Sequence, residues 1–174
     1  MKLTWFGNTA FRIHIGGQIV VVDAKAAPLG VDANELVSGV DHVVAFDGNA
    51  AITDLAGWKP RARERLLDMG DHVRPLQIWS AGEHALLFEP DEDMPLLVIG
   101  GPTPALGRWV EKAVVVLVGQ ALAERGMQVV EKGIPRLMAL AGADAELDAA
   151  FAELPPKLDG ASLVALEPGL AVEV

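Results

Sequence analysis

Ala10-Phe11-Arg12-Ile13-His14-Ile15-Gly16-Gly17-Gln18-Ile19-Val20-Val21-Val22-Asp23 is the stretch on which the fold turns. Phe11, Ile13 and Ile15 alternate with Arg12 and His14, the period of a strand with one face in a core. Gly16-Gly17 is the pair a tight turn needs, because both residues accept positive φ without a Cβ clash. Gln18 to Asp23 then returns as an apolar run closed by a carboxylate. The stretch therefore predicts a β-hairpin with Asp23 at the end of its second strand.

Working outward, residues 2–6 before the hairpin carry a strand pattern, and 41–46 is a further short strand punctuated by Asp47-Gly48-Asn49. Pro60 is suited to open a helix over 61–69, with Gly70 at its left-handed exit. Residues 73–79 and 85–88 read as a second hairpin around Ala81-Gly82-Glu83. A polar loop over 89–93 and a strand over 95–99 follow. The second half alternates: a buried strand at 113–118, a helix at 120–132 closed by Gly133, and a strand at 136–140. A helix capped by Asp144 then runs to about Leu154, and strands at 162–166 and 170–174 close the chain. Residues 104–120 have room for additional helix. A β-rich start followed by β/α units is most economically packed as an α/β (α+β) arrangement of two sheets sandwiched between helices.

The chain has 174 residues, the size of one domain, and 51% hydrophobic content, enough for a sizeable core. Its formal net charge of −10, with Lys and Arg scattered, repels a phosphate backbone and an anionic leaflet. Neither nucleic acid nor membrane is an expected partner, whereas the apolar excess favours a homo-oligomer. There are no cysteines, which excludes disulfides, thiolate nucleophiles and thiolate metal sites. The first residues lack an export-signal pattern, so a cytoplasmic location is expected.

The opening Lys2-Leu3-Thr4-Trp5-Phe6-Gly7-Asn8-Thr9-Ala10-Phe11-Arg12-Ile13, with Gly16-Gly17 and the strand ending in Asp23, resembles the start of metallo-β-lactamase-superfamily hydrolases of the ascorbate-lactonase-like group. Residues 96–101 and 164–169 resemble that family's late strand with its Gly-Gly turn and its closing strand and turn. The resemblance implies a truncated metallo-β-lactamase-like αββα sandwich over 1–174. It also implies a His-x-His-x-Asp-His metal loop after the strand at 41–46. There this chain has Ala45-Phe46-Asp47-Gly48-Asn49, so Phe46 and Gly48 fall where the first two histidines belong, and neither can coordinate zinc. Asn8 stands where the family often has His, and no His follows His84.

The residues themselves point the same way. Only His14, His42, His72 and His84 exist, no two close in sequence, whereas zinc sites draw paired ligands from one rigid element. His14 reads as a polar strand residue, His42 as a strand-entry pair with Asp41, His72 as a helix exit and His84 as a turn residue. The carboxylates at 89, 91, 92 and 93 lack calcium-loop spacing and read as a solvated loop. Ser38, Ser80 and Ser162 lie outside any nucleophile elbow, and Gly100-Gly101-Pro102-Thr103-Pro104 is a turn without the donors of a phosphate cradle. Trp58 and Trp109 are candidates for exposed anchors beside core packing.

The ligand-binding candidates are Asn8, Asp23, His42 and Asp47, with no metal ligands and no cofactor assigned. The leading expectation is a non-enzymatic binding or association module. One alternative is a hydrolase holding zinc or manganese in a rearranged site of Asp23, Asp47, His42 and a remote histidine. Another is a small-molecule sensor using the vacated pocket around Asn8, Asp23 and Asp47.

Overall fold

The computed structural model describes residues 1–61, 74–91 and 93–174. It is a mixed α/β structure with two sheets and few helices. The sequence-predicted helix at 61–69 beyond its first residue, and His72, lie outside the described residues.

The first sheet begins with β1 (Lys2–Gly7), β2 (Ala10–Ile15), β3 (Gln18–Val22) and β4 (His42–Val44). β2 and β3 form the expected hairpin, with Phe11 opposite Val22 and Ile15 opposite Gln18. The turn uses the predicted glycines at φ 55° and 74°. β4 then lies parallel to β3, aligning Val20 with His42 and Val22 with Val44. The expected strand at 41–46 is thus shorter at both ends. Asp41 instead accepts the Ile19 N–H at 2.7 Å, and Phe46 turns inward.

The second sheet comprises β5 (Ala51–Ile52), β6 (Gln77–Ser80), β7 (Ala85–Glu89), β8 (Leu96–Ile99), β9 (Val114–Val118), β10 (Leu137–Ala141) and β11 (Ser162–Ala165), in the order β11-β10-β9-β8-β7-β6-β5. β8 to β11 run parallel. β7, β8 and β9 are buried at every position, as strands covered on both faces must be. β12 (Ala171–Glu173) returns to the first sheet, antiparallel to β1.

Packing defines the layers. One core cluster joins alternate residues of both sheets, among them Leu3, Phe11 and Ile13 with Leu86, Phe88 and Val116, so the sheets face each other. A second covers the far side of the second sheet with α2 (Leu122–Val130) and α3 (Asp144–Glu153), through Leu122, Val129, Ala150 and Leu154. A small third cluster seats Leu36 of the short α1 (Ala33–Leu36) on Val21.

Several expectations are corrected. Asp144 does not cap α3: Ala143 holds the N-cap position without a side-chain bond, and Asp144 contributes only as an acidic first-turn residue. Residues 104–120 contain a 3₁₀ segment, Arg108–Lys112, that buries Trp109. Trp109 is therefore no exposed anchor. Its indole N–H donates to Leu55 O at 2.6 Å, and Trp58 meets its ring edge-on at 4.7 Å. Glu89 is not a solvated loop residue either. It closes β7, is 3% exposed, and forms an ion pair at 3.2 Å with Arg61, whose backbone N–H it also accepts.

Candidate functional site

Strand directions gather one set of loops at one end of both sheets. In the first sheet this rim holds the β1–β2 turn and the exits of β3 and β4; in the second it holds the β6–β7 turn and the exits of β8 to β11. Besides Ala121 (φ 52°), beyond the exit of β9, three non-glycine rim residues adopt left-handed backbone: Asn8 (φ 47°), Asp23 (φ 45°) and His84 (φ 51°). These are residue types that tolerate the conformation best.

Each has defined work. Asn8 accepts the Trp5 indole N–H at 2.9 Å and donates its amide to Ala26 O at 3.0 Å. Asp23 donates its N–H to Val44 O at 2.9 Å, and its Oδ1 accepts the Phe46 N–H at 3.1 Å. The carboxylate therefore reaches across the exit of β4 and fixes the next turn. His84 O accepts the Gly100 N–H at 2.7 Å, while its Nε2 lies 3.6 Å from the exposed Asp47 carboxylate.

Phe46 sits at the centre. It is 3% exposed and belongs to the core between the sheets. Its ring lies 6.1 Å from that of His84, and a methyl group on Gly100 would meet it at 3.4 Å. The described residues do not fit a divalent cation here. Phe46 and Gly48 offer no donor, the Asn8 amide is held through its nitrogen by Ala26 O, and one Asp23 oxygen is held by the Phe46 N–H. Asp47 and His84 leave only one pair. Among the described residues no three His, Asp or Glu side chains gather as a metal-holding group.

A cleft of about 1070 Å³ runs alongside β4. Asp23 stands at one end and His42 at the other, so the structure brings together two of the four candidates. Asn8 and Asp47 lie on the rim and do not line the cleft. The opposite wall is Leu76 and Ile78, with Ala50 between the sheets. His42 Nε2 lies 3.3 Å from Gln18 Oε1, two residues before its register partner Val20 on β3.

The chain has distant relatives among proteins named as metal-dependent hydrolases. It is 36% identical over 53 residues to a UPF0173 metal-dependent hydrolase of Rhizobium etli, covering 28% of this chain and 23% of that protein. It is 28% identical over 93 residues to a UPF0173 metal-dependent hydrolase of Brucella anthropi, covering 41% of this chain and 40% of that protein. The match thus spans well under half the length of either relative. No family model and no solved structure matches.

Sequence reasoning missed Asn34, Leu76 and Ile78 of the cleft: Asn34 lies on α1, while Leu76 and Ile78 stand two residues apart at the start of β6, and only the fold brings the two elements to one cleft. It also missed Arg125 behind the rim. This guanidinium is 8% exposed and donates to Val118 O, Gln120 O and Ile99 O at 2.8, 3.0 and 2.6 Å, tying the exits of β8 and β9 together. Burial lowers its pKa, partly offset by Glu146. The signal existed: Leu122, Arg125, Gly126 and Val129 form the buried i, i+3, i+4, i+7 stripe of α2. No described helix is long and apolar enough to cross a membrane.

Proposed function

We propose that this chain is a single shortened metallo-β-lactamase-like αββα domain over 1–174 that has no catalytic metal site and serves as a cytoplasmic binding or association module. The observation that supports this is Phe46: by the resemblance it falls about where the family has its first ligand, and its ring is buried between the sheets, while Asp23 holds the backbone beside it through one carboxylate oxygen. An apolar side chain with its own packing partners is a structural commitment, not a vacant ligand position. The cleft beside β4 supplies the binding surface, and the apolar composition supports self-association. Elemental analysis of protein purified without chelator is the test. Substoichiometric metal, and no rise in Tm with added zinc or manganese, are the expected results; one tightly held zinc or manganese per chain would end the proposal.

A second reading is favoured by the names of the two relatives: a metal-dependent hydrolase with a rearranged site from Asp23, His42, Asp47 and His84. It requires the Asp47–His84 pair and the cleft residues to converge on one ion. It predicts that His42→Ala or His84→Ala releases bound metal, which inductively coupled plasma mass spectrometry reads directly.

A further inference from the structure

We propose that the cleft beside β4 binds a short extended apolar peptide, which adds to the first sheet as a strand antiparallel to β4. This rests on the binding-module reading above and names its ligand class. Among the described residues β4 is the outermost strand of its sheet and pairs only with β3. His42, Val43 and Val44 all line the cleft, although successive strand side chains point to opposite faces. The strand's main-chain edge therefore borders the cleft, and the side chain of Val43 is 58% exposed. An open apolar edge strand is a template for another strand.

Length, polarity and direction select the occupant. Asp23 follows Val22, which pairs with Val44, so its carboxylate lies three residues along from His42. At about 3.3 Å per residue the two polar ends are about 10 Å apart, the reach of roughly four extended residues. The lining between them is mostly apolar, with Val44, Ala50, Leu76 and Ile78, beside the amides of Asn34 and Asn49. An antiparallel peptide, the more stable pairing per residue, places its amino terminus at the exit of β4. There Asp23 has one oxygen on Phe46 N and a second to accept an ammonium. The peptide's carboxylate then falls beside the His42 imidazole. Lys25, exposed at the Asp23 end, offsets part of that carboxylate's field, so hydrogen bonding carries more of the preference than net charge.

The probe is a tetrapeptide of alternating valine and alanine with free termini, titrated into ¹⁵N-labelled protein. The expected result is a Kd below about 1 mM, with amide shifts concentrated at residues 20–24, 42–50 and 76–78. N-methylation of alternate peptide amides keeps the apolar side chains but blocks main-chain pairing, and is expected to weaken binding about tenfold or more. N-acetylation is expected to weaken binding several-fold to the native protein and not to Asp23→Asn, whose retained Oδ1 can still accept the Phe46 N–H. Equal affinity for the N-methylated peptide would overturn the proposal, as would shifts that bypass β4. So would octanoate binding in the cleft when the peptide does not, which would make it a fatty-acid site. Light scattering showing a dimer whose β4 amides are already protected from exchange would also overturn it, because a second copy would then hold that edge. Bound metal would strike the binding-module reading, whereas metal-free protein that ignores the peptide would strike this inference alone.

Discussion

Replacing Phe46 separates a packed core residue from a disguised metal position. The ring is 3% exposed and sits in the cluster shared by both sheets, against Gly100 and 6.1 Å from the His84 ring. Phe46→Ala removes a full aromatic side chain from a site where the flanking strands cannot collapse, at about 3 to 5 kcal/mol. For a domain of this size that lowers Tm by roughly 6 to 20 °C. Phe46→Leu keeps most of the volume and loses about 1 kcal/mol. Phe46→His is the decisive variant. It restores an imidazole but buries a polar ring among hydrocarbon, costing about 2 to 4 kcal/mol. If the neighbouring groups could complete a site, zinc at a hundred times its Kd would return about 2.7 kcal/mol. Urea unfolding followed by tryptophan fluorescence, with and without zinc, reads both quantities. The expected order of stability is native, Leu, His, Ala, with zinc moving none of them. A zinc-dependent recovery in Phe46→His, or a zinc shift in the native protein, would refute the assignment of Phe46 as core.

Three further outcomes follow from packing and pairing. A Cβ on Gly126 would lie 2.6 Å from Leu154 Cδ1, and Leu154 is fully buried; Gly126→Ala gains about 1 kcal/mol of helix propensity but loses about 1 to 3 to overpacking, so a net loss is expected in denaturant melts. Arg125→Met strips the donors from Val118 O, Gln120 O and Ile99 O while relieving a desolvated charge; a net loss of about 2 to 4 kcal/mol is expected, with faster hydrogen exchange at residues 118–122. Glu89→Gln keeps the shape but removes the charge facing Arg61, and a stability loss of about 1 to 2 kcal/mol that 1 M salt does not reproduce in the native protein is expected, since the carboxylate is buried.

Local pattern was enough to read most of the described strands and the two longer helices, though not the short α1 and β5. Alternation and paired glycines gave the β2–β3 hairpin, and the continuous valines marked β9 as a buried strand. These features repeat within a few residues, so neighbouring side chains report them directly. The placement of Asp23 at a strand exit was legible for the same reason.

Tertiary structure alone decided the rest. That Asp23 and His42 share a cleft while Asn8 and Asp47 stand apart on the rim follows from β3 and β4 lying parallel, a pairing joined by a long connection that carries no local signature. That Glu89 is buried depends on Arg61, 28 residues away, and that Trp109 is buried depends on Leu55, 54 residues away. The charge or polarity of a side chain states what partner it needs; only the folded chain supplies one. Hydrophobic period is a property of consecutive residues, whereas pairing and sites are meetings of distant ones, so the sequence by itself determined most of the strands and the structure determined how they pair and what lies between them.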